Sequence, residues 1–173
     1  MALPQQYFGE GVTILGERVY QLTWQSHKGF VYDLNFTLVQ EFSYTTEGWG
    51  LTHNGSHLIM SDGTSNLYFL DPATLSVVGQ VQVKDGDNQV AELNELEYIN
   101  GEVWANVWQT DYVARISPHS GRVLGWVNFT GLLSPAERAG TDVLNGIAFD
   151  SAGSRILVTG KYWPKVFEIE LVP

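Results

Sequence analysis

The chain has 173 residues, 44% hydrophobic, 13% aromatic and only 16% charged, enough for one ordinary core and for strands buried on both faces. A formal net charge of −10 is the wrong sign for a phosphate backbone or an anionic membrane surface, so no nucleic-acid partner is expected. The chain contains no cysteine, which excludes disulfide and thiol chemistry, and no apolar run reaches membrane-spanning length, so no membrane insertion is expected.

Met1-Ala2-Leu3-Pro4 lacks the charged start and long apolar stretch of a signal peptide. From there the chain reads as short strands rich in β-branched and aromatic residues, bounded by Gly, Asn, Asp and Ser. The first four are predicted over Gly11–Leu15, Arg18–Gln25, Gly29–Leu34 and Leu38–Tyr44. A second set follows over Gly50–Thr52, His57–Ser61, Asn66–Leu70 and Val77–Val83, with Asn54-Gly55 as a two-residue hairpin turn. A third covers Leu96–Ile99, Glu102–Gln109, Tyr112–Ser117 and Val123–Phe129, with Asn100-Gly101 as the same turn. Ser134–Ala139 reads as a turn or two of helix, with Ser134 as cap, Pro135 as start and Glu137 completing a capping box. The last set, Gly146–Phe149, Arg155–Gly160 and Lys165–Leu171, has three strands where the others have four.

The four sets open alike. Glu10-Gly11-Val12-Thr13, Trp49-Gly50-Leu51-Thr52, Asn94-Glu95-Leu96-Glu97 and Asn145-Gly146-Ile147-Ala148 recur at successive spacings of 39, 45 and 51 residues. A repeat of this length built only of short strands is the mark of a β-propeller blade. The expected fold is all-β, one incomplete propeller domain with repeat units at about 8–44, 48–83, 93–129 and 144–171. In a propeller the loop entering the first strand and the loop leaving the second lie on one face. Glu10, Trp49, Asn94 and Asn145 enter first strands, and Trp24, Asp62, Trp108 and Lys161 leave second strands, so all eight are expected around one mouth of the channel. Such an opening, with few polar groups and indole walls, suits a small ligand. Trp104 and Trp126 are assigned to packing between sheets.

Other signals are set aside. His53 and His57 flank a turn and lack further ligands. Asp85-Gly86-Asp87-Asn88 opens like a calcium loop but fails at Val90 and Leu96. No metal centre and no cofactor are expected. Sequons stand at Asn35, Asn54 and Asn128, with no function assigned to them.

At these residues the chain resembles the plant and bacterial type of glutaminyl-peptide cyclotransferase. The resemblance is carried by Tyr7-Phe8-Gly9-Glu10-Gly11, Gln21-Leu22-Thr23-Trp24, Gly48-Trp49-Gly50-Leu51, Ser61-Asp62-Gly63-Thr64-Ser65, Leu93-Asn94-Glu95-Leu96-Glu97-Tyr98, the run Val103 to Asp111, Asp142-Val143-Leu144-Asn145-Gly146 and the run Val158 to Pro164. It implies a five-bladed propeller, of which about four blades are present here, the first blade and closing strand being absent. It implies a pocket of Phe8, Glu10, Trp24, Trp49, Asn94, Trp108 and Lys161, with Glu10 as catalytic acid and base. Of the other candidate catalytic groups, Asn94 through its amide or Lys161 through its ammonium, or else an indole N–H, would stabilise the carbonyl oxygen as it turns anionic. The implied reaction turns the N-terminal Gln of a peptide or protein into pyroglutamate with loss of ammonia. The implied compartment is the secretory pathway or periplasm. Unclosed propeller edges would also allow self-association.

Two other readings compete. One is a non-catalytic propeller that binds peptides or proteins. The other is a carbohydrate-active enzyme using Glu10 with Glu95, which needs both carboxylates in one opening. Glu95 follows Asn94 directly and is expected to point elsewhere.

Overall fold

The computed structural model describes residues 3–172. Its strands form four radial sheets. The first holds β1 (Gly9–Leu15), β2 (Arg18–Thr23), β3 (Lys28–Asp33) and β4 (Leu38–Ser43). The second holds β5 (Leu51–His53), β6 (Leu58–Ser61), β7 (Asn66–Leu70) and β8 (Val77–Gln82). A two-stranded ribbon, β9 (Lys84–Asp85) and β10 (Asn88–Gln89), then intervenes. The third sheet holds β11 (Leu93–Ile99), β12 (Glu102–Val107), β13 (Tyr112–Ile116) and β14 (Val123–Asn128). After the short helix α1 (Pro135–Arg138), the fourth holds β15 (Leu144–Asp150), β16 (Arg155–Gly160) and β17 (Phe167–Ile169). Every sheet is an antiparallel meander, as hairpin-length connections require. The inner strands β1, β5, β11 and β15 lie in succession, each against the next. The chain therefore has the expected all-β, four-blade propeller arrangement.

The absence of polar alternation along the middle strands has a direct cause: both faces are covered. On β6, Leu58 and Met60 enter a cluster with Tyr20, Leu22, Phe42 and Leu51, while Ile59 between them enters the next cluster, with Leu93, Leu96 and Val103. On β12, Val103 and Ala105 face that same second cluster, and Trp104 turns into a third with Phe129, Leu144 and Val158. Three apolar wedges thus lie between successive blades. Full burial of each such side chain stabilises by about 1.5–3 kcal/mol. Trp104 is a packing residue as expected. Trp126 is instead 41% exposed on β14, where its Nε1 donates to Asp85 Oδ2 at 2.9 Å and ties the β9–β10 ribbon to the third sheet.

The recurring four-residue opening is a β-bulge. In β1 the ladder runs Gly9↔Thr23 and then Val12↔Gln21, so Glu10 and Gly11 together face one residue of β2. The same two-against-one count places Asn94 and Glu95 between Leu93↔Val107 and Leu96↔Ala105, and Asn145 and Gly146 between Leu144↔Gly160 and Ile147↔Val158. In the second blade Trp49 N–H donates to the Ser61 carbonyl and Ser61 N–H donates to the Gly50 carbonyl, both at 3.0 Å, which repeats the arrangement. A bulge leaves one residue outside the pleat and re-aims its side chain. Three of the four bulges carry Gly second, and in the first two the next blade explains it. A Cβ on Gly11 would lie 2.6 Å from Leu51 N, and one on Gly50 would lie 2.0 Å from Asn94 O. Glu95 stands in that place in the third blade.

Several local expectations change. The inner strands begin two or three residues earlier than predicted in the first, third and fourth blades, because pairing resumes on the far side of each bulge. Asn100-Gly101 is a two-residue turn with both residues at positive φ, 50° and 91°. Asn54-Gly55 is not: the loop runs from Asn54 to His57, because Asn54 Oδ1 accepts from Ser56 N at 3.0 Å and His57 N at 2.8 Å and opens a wider turn. The α1 capping box forms as read, with Ser134 and Glu137 exchanging hydrogen bonds. Asp85 and Asn88 pair in the β9–β10 ribbon, with Gly86 and Asp87 as its turn. Among the described residues no helix is long and apolar enough to cross a membrane.

Candidate active site

The bulges and the loops leaving the second strands meet at one end of the channel. There Phe8, Glu10, Trp24, Trp49, Asn94, Trp108 and Lys161 line a single cavity of about 220 Å³. These are the seven pocket residues expected from the sequence, and the structure brings all of them together. Of the eight positions assigned to the mouth by blade geometry, two fall elsewhere. Asn145 lines the neck below the pocket with Glu10, Glu95 and Asn94. Asp62 is turned into its own loop, where Oδ1 accepts from the Thr64 hydroxyl at 2.6 Å and its N–H at 3.0 Å, and Oδ2 accepts from the Tyr68 hydroxyl at 3.0 Å. It serves the turn and not the pocket.

Glu10 is the first residue of its bulge, and its half-buried carboxylate has no hydrogen-bond donor among the described residues. Burial raises its pKa above the ordinary 4.5, and the Lys161 ammonium opposes that rise. Lys161 follows β16 directly, held by its own N–H to the Val143 carbonyl and by Asp142 N–H to the Lys161 carbonyl, both at 2.9 Å. It forms no ion pair among the described residues. A carboxyl inclined to hold its proton thus shares a small cavity with a lone cation.

Asn94 is 5% exposed, and its Oδ1 has no partner among the described residues. A buried acceptor left without a donor costs stability. Its backbone is secured: the Asn94 carbonyl accepts from Ser61 Oγ at 2.6 Å across the blade boundary.

The aromatic walls form two edge-on pairs. Phe8 meets Trp24 with ring centroids 6.0 Å apart, and Trp49 meets Trp108 at 5.5 Å. Between the pairs lies Glu47. Its Oε2 accepts from Trp24 Nε1 at 2.6 Å and from Trp49 Nε1 at 2.8 Å, and its Oε1 accepts from Gln25 Nε2 at 2.9 Å. Glu47 was not singled out in the sequence. It is a loop carboxylate with no motif of its own, and only the fold brings it to both indoles.

Glu95 contradicts its expected direction. The bulge turns it into the channel neck, where Glu10 also lies. Its Oε2 accepts from Ile147 N at 2.8 Å. Burial, with the Glu97 charge adding to it, pushes its pKa up to about 8. Glu97 in turn accepts from Phe149 N at 2.8 Å and Thr52 Oγ1 at 3.3 Å. These two carboxyls pin the inner strand of the fourth blade to that of the third.

The family model for glutamine cyclotransferase matches residues 1–171. A curated glutaminyl-peptide cyclotransferase of Arabidopsis thaliana is 52% identical over 171 residues, covering 95% of this chain and 53% of its own length. This chain therefore spans about half the length of that curated relative. Among solved structures, the glutaminyl cyclase of Myxococcus xanthus matches with a TM-score of 0.88 and 38% identity, over 95% of this chain and 72% of that one. The WD40 β-propeller domain of Doa1 matches at a TM-score of 0.57 and 11% identity, over 88% of this chain and 48% of that one, which shows likeness of fold alone. With the family model running from residue 1 to residue 171, the chain belongs to the glutamine cyclotransferase family.

Proposed function

We propose that the pocket converts an N-terminal glutaminyl residue of peptides and proteins to a pyroglutamyl residue with release of ammonia, Glu10 acting as the proton shuttle. The observation that carries this reading is the convergence of Glu10, Asn94, Lys161 and three indoles on one small cavity in a chain of this family. The substrate's α-amino nitrogen attacks its own side-chain carbonyl carbon, so holding the folded-back conformer is a large part of catalysis. Glu10 takes a proton from the attacking amine as the ring C–N bond forms. It returns that proton to the side-chain nitrogen, which leaves as ammonia as the other C–N bond breaks. The raised pKa of Glu10 suits both halves of that exchange.

The carbonyl oxygen turns anionic between the two steps. The Lys161 ammonium is the cation in the cavity and is assigned to that charge. Asn94 lines the same cavity, and its amide N–H is a second donor for that charge. Phe8, Trp24, Trp49 and Trp108 enclose the aliphatic part and exclude water.

The test is incubation of the protein with a Gln-initiated peptide, with ammonia loss followed by mass spectrometry. Turnover is expected, and Glu10→Gln, nearly isosteric, abolishes it while leaving the circular dichroism spectrum unchanged. Wild-type turnover in Glu10→Gln overturns the shuttle. No turnover by the wild-type protein, with peptide binding retained, favours the non-catalytic binding module.

A further inference from the structure

We propose that Glu47 is a positioning residue whose carboxylate locks Trp24 and Trp49 into one rigid wall of the pocket and so sets its grip on the substrate's N-terminal segment. This rests on the reading of the pocket as the cyclisation site. An indole N–H can only donate, and a carboxylate can only accept, so one Glu47 oxygen shared by two indoles fixes both rings with charge-assisted bonds. The distances, 2.6 and 2.8 Å, are those of such bonds. Through them the Phe8–Trp24 pair and the Trp49–Trp108 pair become a single connected lining.

The loop that carries Glu47 is itself immobilised. Gly48 N–H donates to the Trp24 carbonyl at 3.0 Å. A Cβ at Gly48 would lie 2.5 Å from Tyr44 Oη, so the loop can press against the end of β2 only with glycine there. The third donor, Gln25 Nε2, occupies the other Glu47 oxygen and stops the carboxylate from rotating. The bonds from Trp49 and Gln25 hold the Glu47 carboxyl below its ordinary range, so it remains an acceptor across the working pH range. Trp24 needs this restraint most, since it is 39% exposed and lies at the rim. A wall ordered beforehand does not have to be ordered when the substrate enters, and the saving appears in KM.

The experiment compares the wild-type protein with Glu47→Leu and Glu47→Gln. The first readout is the indole N–H resonances of Trp24 and Trp49 in ¹H–¹⁵N spectra, assigned with Trp24→Phe and Trp49→Phe. The second is steady-state kinetics on a Gln-initiated peptide. In Glu47→Leu both indole resonances move upfield together, and KM rises about tenfold with a smaller change in kcat. In Glu47→Gln the side-chain carbonyl still accepts from both indoles while Gln25 turns its own carbonyl to the new amide, so resonances and kcat/KM stay within about threefold of wild type.

Should Glu47→Leu prevent folding, Glu47→Asp, whose shorter arm draws the shared oxygen back from both nitrogens, is read in the same way. Unmoved resonances in the Leu or Asp variant overturn the proposal. So does a KM unchanged despite moved resonances, or a Gln variant as impaired as the Leu variant. If the wild-type protein shows no turnover, the cyclisation reading fails, and the resonances alone still decide whether Glu47 holds the wall.

Discussion

Glu95→Gln should make the protein more stable at alkaline pH. The Glu95 carboxyl lies in the channel neck with Glu97 nearby, and its pKa is pushed from 4.5 to about 8. A group whose folded pKa is raised in this way binds its proton more tightly in the native state than in the unfolded chain. Stability is then greatest near or below pH 4.5, declines as pH rises through the interval up to about 8, and is level above it. The whole interval corresponds to a ceiling of about 5 kcal/mol. The side chain keeps some contact with channel water, and water screens the charge, so a loss of about 2–3 kcal/mol is expected.

Glutamine retains an oxygen for the Ile147 N–H and carries no charge to repel Glu97. Urea unfolding from pH 5 to pH 9 measures the difference. The two proteins should differ by no more than about 0.5 kcal/mol at pH 5, and the variant should exceed wild type by about 2–3 kcal/mol at pH 9. Glu10 and Glu97 are also raised and contribute a decline above pH 4.5 common to both proteins. Parallel profiles for wild type and variant across that range would refute the assignment of a buried, proton-holding Glu95.

Three other outcomes follow from the geometry. The acid limb of the kcat/KM–pH profile should lie above 4.5, because burial raises the Glu10 pKa, and Lys161→Met should move it higher still by removing the charge that opposes the rise; a limb at or below 4.5 disproves this. Gly50→Ala places a Cβ 2.0 Å from the Asn94 carbonyl and should cost more than about 3 kcal/mol in urea unfolding, whereas Gly79→Ala, with nothing within 4 Å, should change stability by less than about 0.5 kcal/mol. Tyr44→Phe strands Thr23 N–H, which now donates to the phenol at 2.9 Å, and also loses the phenol's own bond to the Thr23 or Lys28 carbonyl. A loss of about 1–3 kcal/mol is expected from thermal or urea melts, and no loss would show that water replaces the hydroxyl.

Much of this was legible in the sequence because a propeller repeats itself. The four openings at Glu10, Trp49, Asn94 and Asn145 are similar in sequence since each must form the same bulge, and once the blades are aligned six of the seven pocket residues follow, Phe8 coming only with the family resemblance. What escaped depends on distances that strand periodicity does not encode. Alternation within β11 sends Glu95 away from Asn94, and only the bulge, which breaks alternation, brings both to the channel. Asp62 occupies the same blade position as Trp24, yet Thr64 and Tyr68 draw its short side chain inward. Glu47 meets Trp24 across 23 residues of chain, a contact without any local signal. The Asn54-Gly55 pair has the composition of a tight hairpin, and the hydrogen bonds of Asn54 Oδ1 overrode it.

The bulges also bear on how such a protein could acquire new specificity. At the first three, the leading residue projects into the mouth while the hydrogen-bonded register resumes on either side, so identity at positions 10, 49 and 94 is uncoupled from the ladders that hold the blades. A combinatorial library confined to those three codons would diversify the chemistry of the opening without asking any sheet to shift its pairing, whereas Asn145 accepts from Glu95 N and is tied to the third blade. The trailing glycines at 11 and 50 set the boundary of that freedom, since the neighbouring backbone leaves them no room for a side chain.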